Sequence, residues 1–214
     1  MPRFATILGV VATLVTLASG VVVVSAAGSA EQGRHAAPAT PWQEVSGPAG
    51  SFEVPPRPAG WTIRDPGQVV YYADRYGEPV VGVAGPAVLD DGYCAQAAGA
   101  SNRGFAGLTG PHPGAVPQVH LREARRWRSA VAGHESTAGQ TGTLTVDDGS
   151  VATHTHAVVR PASSGPCQPD RVAIDLVSVA GPAGVVTLVV VRDLGSGAAP
   201  AAVVDRLLRS LETR

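Results

Sequence analysis

Two cysteines and a pair of histidines two residues apart are the groups in this chain best placed to do chemistry. Cys94 and Cys167 are the only thiols in 214 residues. Both fall in the part of the chain that reads as exported, where two thiols ordinarily pair. The bond would close a loop of roughly 74 residues and constrain the unfolded chain by about 4 kcal/mol. A reactive thiol is the competing reading. A metal site would need more thiols, and the CxxC spacing of a redox motif is absent. His154 and His156, in Thr153-His154-Thr155-His156, point to one face of a strand and could hold a metal ion between them. Such a site needs a third ligand, which His120, His134 or Glu135 would have to bring through tertiary contact. Two histidines on a polar sheet face are more often simply exposed. The expectation is therefore no metal and no cofactor, with His154 and His156 the candidates if there is one.

The other constellations are incomplete. Asp90-Asp91 and Asp147-Asp148 pair carboxylates, but each pair precedes a glycine and adjacent strand residues face opposite ways. They read as turn residues rather than as a general acid and base. No Gly-x-Ser-x-Gly elbow occurs, and the glycine-rich stretch 99–110 lacks the strand-to-helix pattern of a phosphate loop. All 16 basic residues are arginine, which removes P-loop lysine, Schiff-base and Ser-x-x-Lys chemistry. A net charge of −1 gives no electrostatic case for nucleic acid. Trp42, Trp61 and Trp127 could line a ligand cleft, yet with only three phenylalanines the core needs them. No catalytic residue is assigned.

The positioning elements follow from periodicity. Residues 4–27 carry no charge, with Arg3 just before them. They read as an uncleaved membrane anchor, the competing reading being a signal peptide cleaved near Ala26 or Ala27. Residues 1–3 would then be a short cytoplasmic start, 28–41 a flexible spacer, and 42–214 one exported domain. Short strands are expected at 52–54 and 61–63 and hairpins at 68–84, 143–159 and 171–192. The last strand, a continuous apolar run, should be covered on both faces. The stretch 94–117 reads as irregular with one short helical turn. A helix is expected over 117–132, its buried face Val116, His120, Ala124, Trp127 and Val131. Four arginines spread over the rest of it: Arg122, Arg125, Arg126 and Arg128. A closing helix opens at Pro200, with Val203, Val204, Leu207, Leu208 and Leu211 on one face. Hairpins with few helices predict an α+β fold, an antiparallel sheet of about six to seven strands covered by two main helices.

A Trp-led strand, the hairpin through Asp74 and Gly77, Gly92-Tyr93-Cys94, Arg103, the Trp-bearing helix and Cys167-Gln168-Pro169 resemble a family of actinobacterial envelope proteins. That family carries a domain-of-unknown-function label. The 52–61 opening and the 203–211 ending also resemble PsbP-like domains, sandwiches used mostly as binding or assembly factors. The resemblance implies one membrane-spanning helix followed by an exported domain, the sandwich fold and a Cys94–Cys167 bond. It implies no catalytic residues. The function expected is a membrane-anchored, extracytoplasmic accessory or interaction domain without catalytic activity, its partner an envelope protein or a small ligand. The alternatives are a small-ligand or lipid-binding protein, with a groove lined by Trp127, and a metal-dependent hydrolase using His154 and His156.

Overall fold

The computed structural model describes residues 40–74, 76–96, 101–132, 138–162 and 167–214. The apolar run 4–27 and nearly all of the spacer lie outside the described residues. In chain order, strands β1 (Gln43–Gly47), β2 (Gly50–Val54), β3 (Trp61–Ile63), β4 (Val69–Ala73), β5 (Pro79–Leu89) and β6 (Gly104–His112) precede helix α1 (Val116–Ala132). Strands β7 (Gln140–Thr145), β8 (Val151–Val159), β9 (Val172–Gly181) and β10 (Gly184–Asp193) follow. Helix α2 (Ala201–Arg209) and the two-residue strand β11 (Glu212–Thr213) close the chain.

Seven strands of the main sheet run in the order β3-β5-β6-β10-β9-β8-β7, and β4 pairs with the first half of β5. Every pairing is antiparallel. The three predicted hairpins are present as β4–β5, β7–β8 and β9–β10. β10, the continuous apolar run, lies between β6 and β9 and is buried on both faces. Alternation sends Val189 and Val191 toward α1, where they meet Ile174, Leu176, Trp127 and Phe105. It sends Leu188 and Val190 to the opposite face, against Val45, Phe52 and Val54 of the small sheet β1-β2-β11 and Val204, Leu207 and Leu208 of α2. The α+β class and the two covering helices agree with the sequence reading.

The strand count does not. Against about six to seven expected, the main sheet has eight strands and a second sheet has three. The largest error is β6, which occupies a central place in a stretch read as irregular. Its glycines, which argue against a strand by propensity, are required by packing. A Cβ on Gly107 would come within 2.6 Å of Val83, and one on Gly104 within 2.7 Å of the Val191 carbonyl oxygen. Both helices form where their periodicity places them. Trp127 is wholly buried, edge-on to Tyr72 at 6.4 Å between ring centroids. The groove it was expected to line is therefore filled by its own ring. At the other layer Ser210 Oγ accepts the Glu53 N–H at 2.8 Å and donates to the Leu207 carbonyl at 2.8 Å, fixing the end of α2 to β2.

Candidate functional site

Where β9 begins and β10 stops, the sheet is stapled from outside. The Cys94–Cys167 disulfide joins the connection after β5 to the one before β9, across 73 positions of sequence. The paired-thiol reading holds, and no free cysteine remains to serve as the reactive thiol. The Tyr93 hydroxyl donates to the Cys167 carbonyl, and the Cys94 N–H donates to Ser101 Oγ at 3.1 Å. Arg103 lays its guanidinium over the Tyr93 ring, 4.5 Å from the centroid. Its Nε stands 3.5 Å from Asp90 Oδ2, and its Nη1 donates to the Ser196 carbonyl. One side chain thus fastens the Tyr93 loop to the turn after β10.

Two adjoining cavities open under this staple, of about 240 Å³ and about 390 Å³. Tyr93, Cys167, Gln168, Pro169 and Asp193 line both. The first runs inward along Tyr72, Phe105, Val172 and Val191 to the aromatic core, and the second along Arg103 and the turn at Gly195-Ser196. Asp193 is the last residue of β10, and alternation turns its carboxylate to the Val191 side, into the first cavity. Among the described residues this carboxylate makes no hydrogen bond and no ion pair. Burial pushes its pKa up to about 6, only partly offset by the charge of Arg103. Burial, and then the Asp193 charge, push the Tyr72 and Tyr93 hydroxyls above the ordinary phenol range. The site is a half-buried anion facing two neutral phenols.

The histidine candidates lie on the other face of the sheet. His154 Nε2 is 3.2 Å and His156 Nδ1 2.8 Å from one oxygen, Asp175 Oδ1, on the neighbouring strand β9. A third group does converge on the pair, but as a hydrogen-bond acceptor that occupies one nitrogen of each ring. Burial works to raise the Asp175 pKa, and the hydrogen bonds from the two imidazoles overcome it, so the carboxyl stays below its usual range. Arg192 Nε stands 3.9 Å from Oδ2. Among the described residues no group of three or more His, Cys, Asp or Glu side chains is arranged to hold a metal ion. His134 and Glu135 lie outside the described residues. His120 is buried beneath α1 and spent on hydroxyls: Nδ1 is 2.8 Å from Ser178 Oγ and Nε2 2.7 Å from Thr155 Oγ1. Burial, with a smaller push from His154, lowers its pKa to about 4. Ser178, its only serine partner, is fully buried and cannot serve as a nucleophile. The paired carboxylates are turn residues, as read: Asp148 Oδ1 accepts the Ser150 N–H at 2.7 Å, and Asp91 pairs with Arg64.

A family model matches residues 34–213. The chain belongs to the DUF8017 family, a domain of unknown function. No curated protein and no solved structure matches it. In this DUF8017 domain the residue that sequence reasoning missed is Asp193. Its signal was a carboxylate directly ending the most apolar strand, Val185–Val191 followed by Arg192-Asp193. Tyr72 was visible only as a strand residue. Tyr93 and Arg103 were named on resemblance alone.

Proposed function

We propose that this DUF8017 domain is an extracytoplasmic accessory domain, held at a membrane by residues 4–27, that works by binding a small molecule and performs no chemistry of its own. The observation that carries the reading is the half-buried Asp193 carboxylate, without a hydrogen bond or ion pair among the described residues, in a cavity lined by the disulfide residues Cys94 and Cys167. A carboxylate kept partly out of water without a partner is an unfavourable arrangement that a ligand can relieve. The disulfide supports an oxidising compartment. The resemblance to actinobacterial envelope proteins and to PsbP-like binding domains supports the same placement. The cavity falls below the roughly 300–1,000 Å³ of drug-sized sites, which favours a small polar ligand over a lipid. The test is ligand-observed NMR on the full chain in a maltoside detergent, with a panel of small polar molecules. Hits should compete with one another and vanish in Asn102→Trp, which puts a large ring in place of a residue that lines the cavity. No hits, or hits that survive that substitution, reject the reading.

A second reading rests on a different surface. Four of the six large apolar side chains exposed in the described residues, Val69, Tyr71, Tyr76 and Val80, lie on the β4–β5 hairpin. Among the described residues β4 pairs on one side only, with β5. An extended peptide of an envelope protein could add there as a further strand, its alternate side chains over Val69 and Tyr71. A photo-crosslinker at Tyr71 would then capture one defined partner, and one at Val151 would not.

A further inference from the structure

The charges around the cavity do not balance. Arg192 lines it, but its Nε is turned to Asp175 Oδ2 at 3.9 Å. Arg103 lies over the Tyr93 ring, with Nε directed to Asp90 at 3.5 Å. Each arginine thus has a carboxylate within ion-pair range, although Arg192 Nε and Asp175 Oδ2 make no hydrogen bond, and two imidazoles donate to the other oxygen of Asp175. What remains is Asp193, whose carboxylate makes no hydrogen bond or ion pair among the described residues, is only partly offset by the charge of Arg103, and lines the cavity. The walls next to it are aromatic. Tyr72 and Phe105 line the cavity side by side with ring centroids 6.1 Å apart, and Tyr93 closes it. Tyr93 already accepts a guanidinium over its ring, so an aromatic face in this corner is electronically fit to carry a cation.

We propose that the first cavity takes the ammonium group of a small organic cation, with Asp193 as its counter-ion and the Tyr72, Phe105 and Tyr93 rings as its walls. This rests on the small-ligand reading of the same cavity and names the ligand class. The pairing is chemically selective. An anion would meet the Asp193 charge, and a neutral molecule would leave that carboxylate uncompensated. Tyr72 and Tyr93, kept as neutral phenols, can also accept a hydrogen bond from N–H without competing for the carboxylate. The volume of this cavity, about 240 Å³, suits a short amine better than a lipid chain.

The test is isothermal titration calorimetry at pH 8 on the full chain, disulfide intact, in maltoside micelles with ionic strength held constant by sodium chloride. The probes are ethylammonium chloride and choline chloride, with sodium propionate and propanediol as anionic and neutral controls. Saturable binding of either cation, weakened at least about tenfold by Asp193→Asn and abolished by Asn102→Trp, is the expected result. Cation binding that is equal in Asp193→Asn overturns the proposal. Binding of propionate or propanediol that Asn102→Trp abolishes and Asp193→Asn does not would keep the ligand cavity and overturn the cation assignment. No saturable binding by any of the four probes would overturn the assignment and count against the cavity as well. Circular dichroism of both variants confirms that the fold is kept.

Discussion

If Asp193 is held against its own preference, removing its charge should stabilise the protein. Its pKa stands near 6 in the folded chain, against an ordinary 3.8. Between these values the native state holds the proton more tightly than the unfolded one. Stability is then greatest below the ordinary value and falls as pH rises through about 6. A difference of roughly two pH units corresponds to about 3 kcal/mol, and the half-exposed position screens this to about 1–1.5 kcal/mol. Asp193→Asn should therefore gain about 1–1.5 kcal/mol at pH 7.5 and nothing at pH 3.5. His120 supplies a second, opposite slope. Its pKa of about 4 lies below the ordinary 6.5, so its contribution is complete above 6.5 and lost as pH falls toward 4. At full burial that loss reaches about 3 kcal/mol. In the native chain the two slopes oppose each other over the same window. The Asn variant removes the opposing slope, leaving that of His120 and, below about pH 4, that of Asp175, and should lose stability on acidification more steeply. Tyr72 and Tyr93, both raised, do not titrate in this range. Urea unfolding of the oxidised full chain, followed by tryptophan fluorescence at pH 7.5, 5 and 3.5, reads all of this. A variant less stable than the native chain at pH 7.5, or a gain constant across pH, would refute the account of Asp193.

Two further outcomes follow from the packing. Replacing Cys94 and Cys167 together by serine removes a crosslink spanning 73 positions. It should cost about 4 kcal/mol in urea unfolding and, by releasing the Tyr93 and Cys167 walls, abolish binding in the cavity. Ser178→Ala leaves His120 Nδ1 without its 2.8 Å partner in a buried setting. It should cost about 1–3 kcal/mol in the same assay at pH 7.5, with the cavity and its ligand affinity unchanged.

Some of this was legible in the sequence and some could not be. The helices could be read because Ala124, Trp127 and Val131 recur at helical spacing and because Val204, Leu207 and Leu208 do the same. The hairpins could be read because β-branched runs flank turn residues such as Asp147-Asp148-Gly149. β6 could not, because Gly104 and Gly107 are chosen by the closeness of Val191 and Val83, a contact made far away in sequence. β1 and β11 are stabilised by pairing to β2 rather than by any strong local pattern. His154 and His156 were correctly placed on one face, but Asp175, which decides what they do, is set opposite His156 only by the β8–β9 register. Asp193 offered no partner to read because its carboxylate makes no hydrogen bond or ion pair among the described residues, and the Arg103 charge that partly offsets it comes from just before β6, far away in sequence.

That last point ties the site to the fold. β10 ends with Arg192 and Asp193 on opposite sides of the sheet, as strand alternation requires. Arg192 goes to the face where Asp175 waits, and Asp193 to the face where the aromatic core ends. A shift of one residue in the β9–β10 register would exchange them, pairing carboxylate with carboxylate and leaving an arginine in the cavity. The apolar run before them fixes that register, since Val189 and Val190 must each keep to its own core. The same burial that makes β10 the centre of the sheet therefore delivers one unpaired charge to the stapled end. The disulfide does the remainder, holding Tyr93 and Cys167 in the wall of the cavity beside that charge. Neither the strand nor the staple alone makes a site; the anion comes from one and its enclosure from the other.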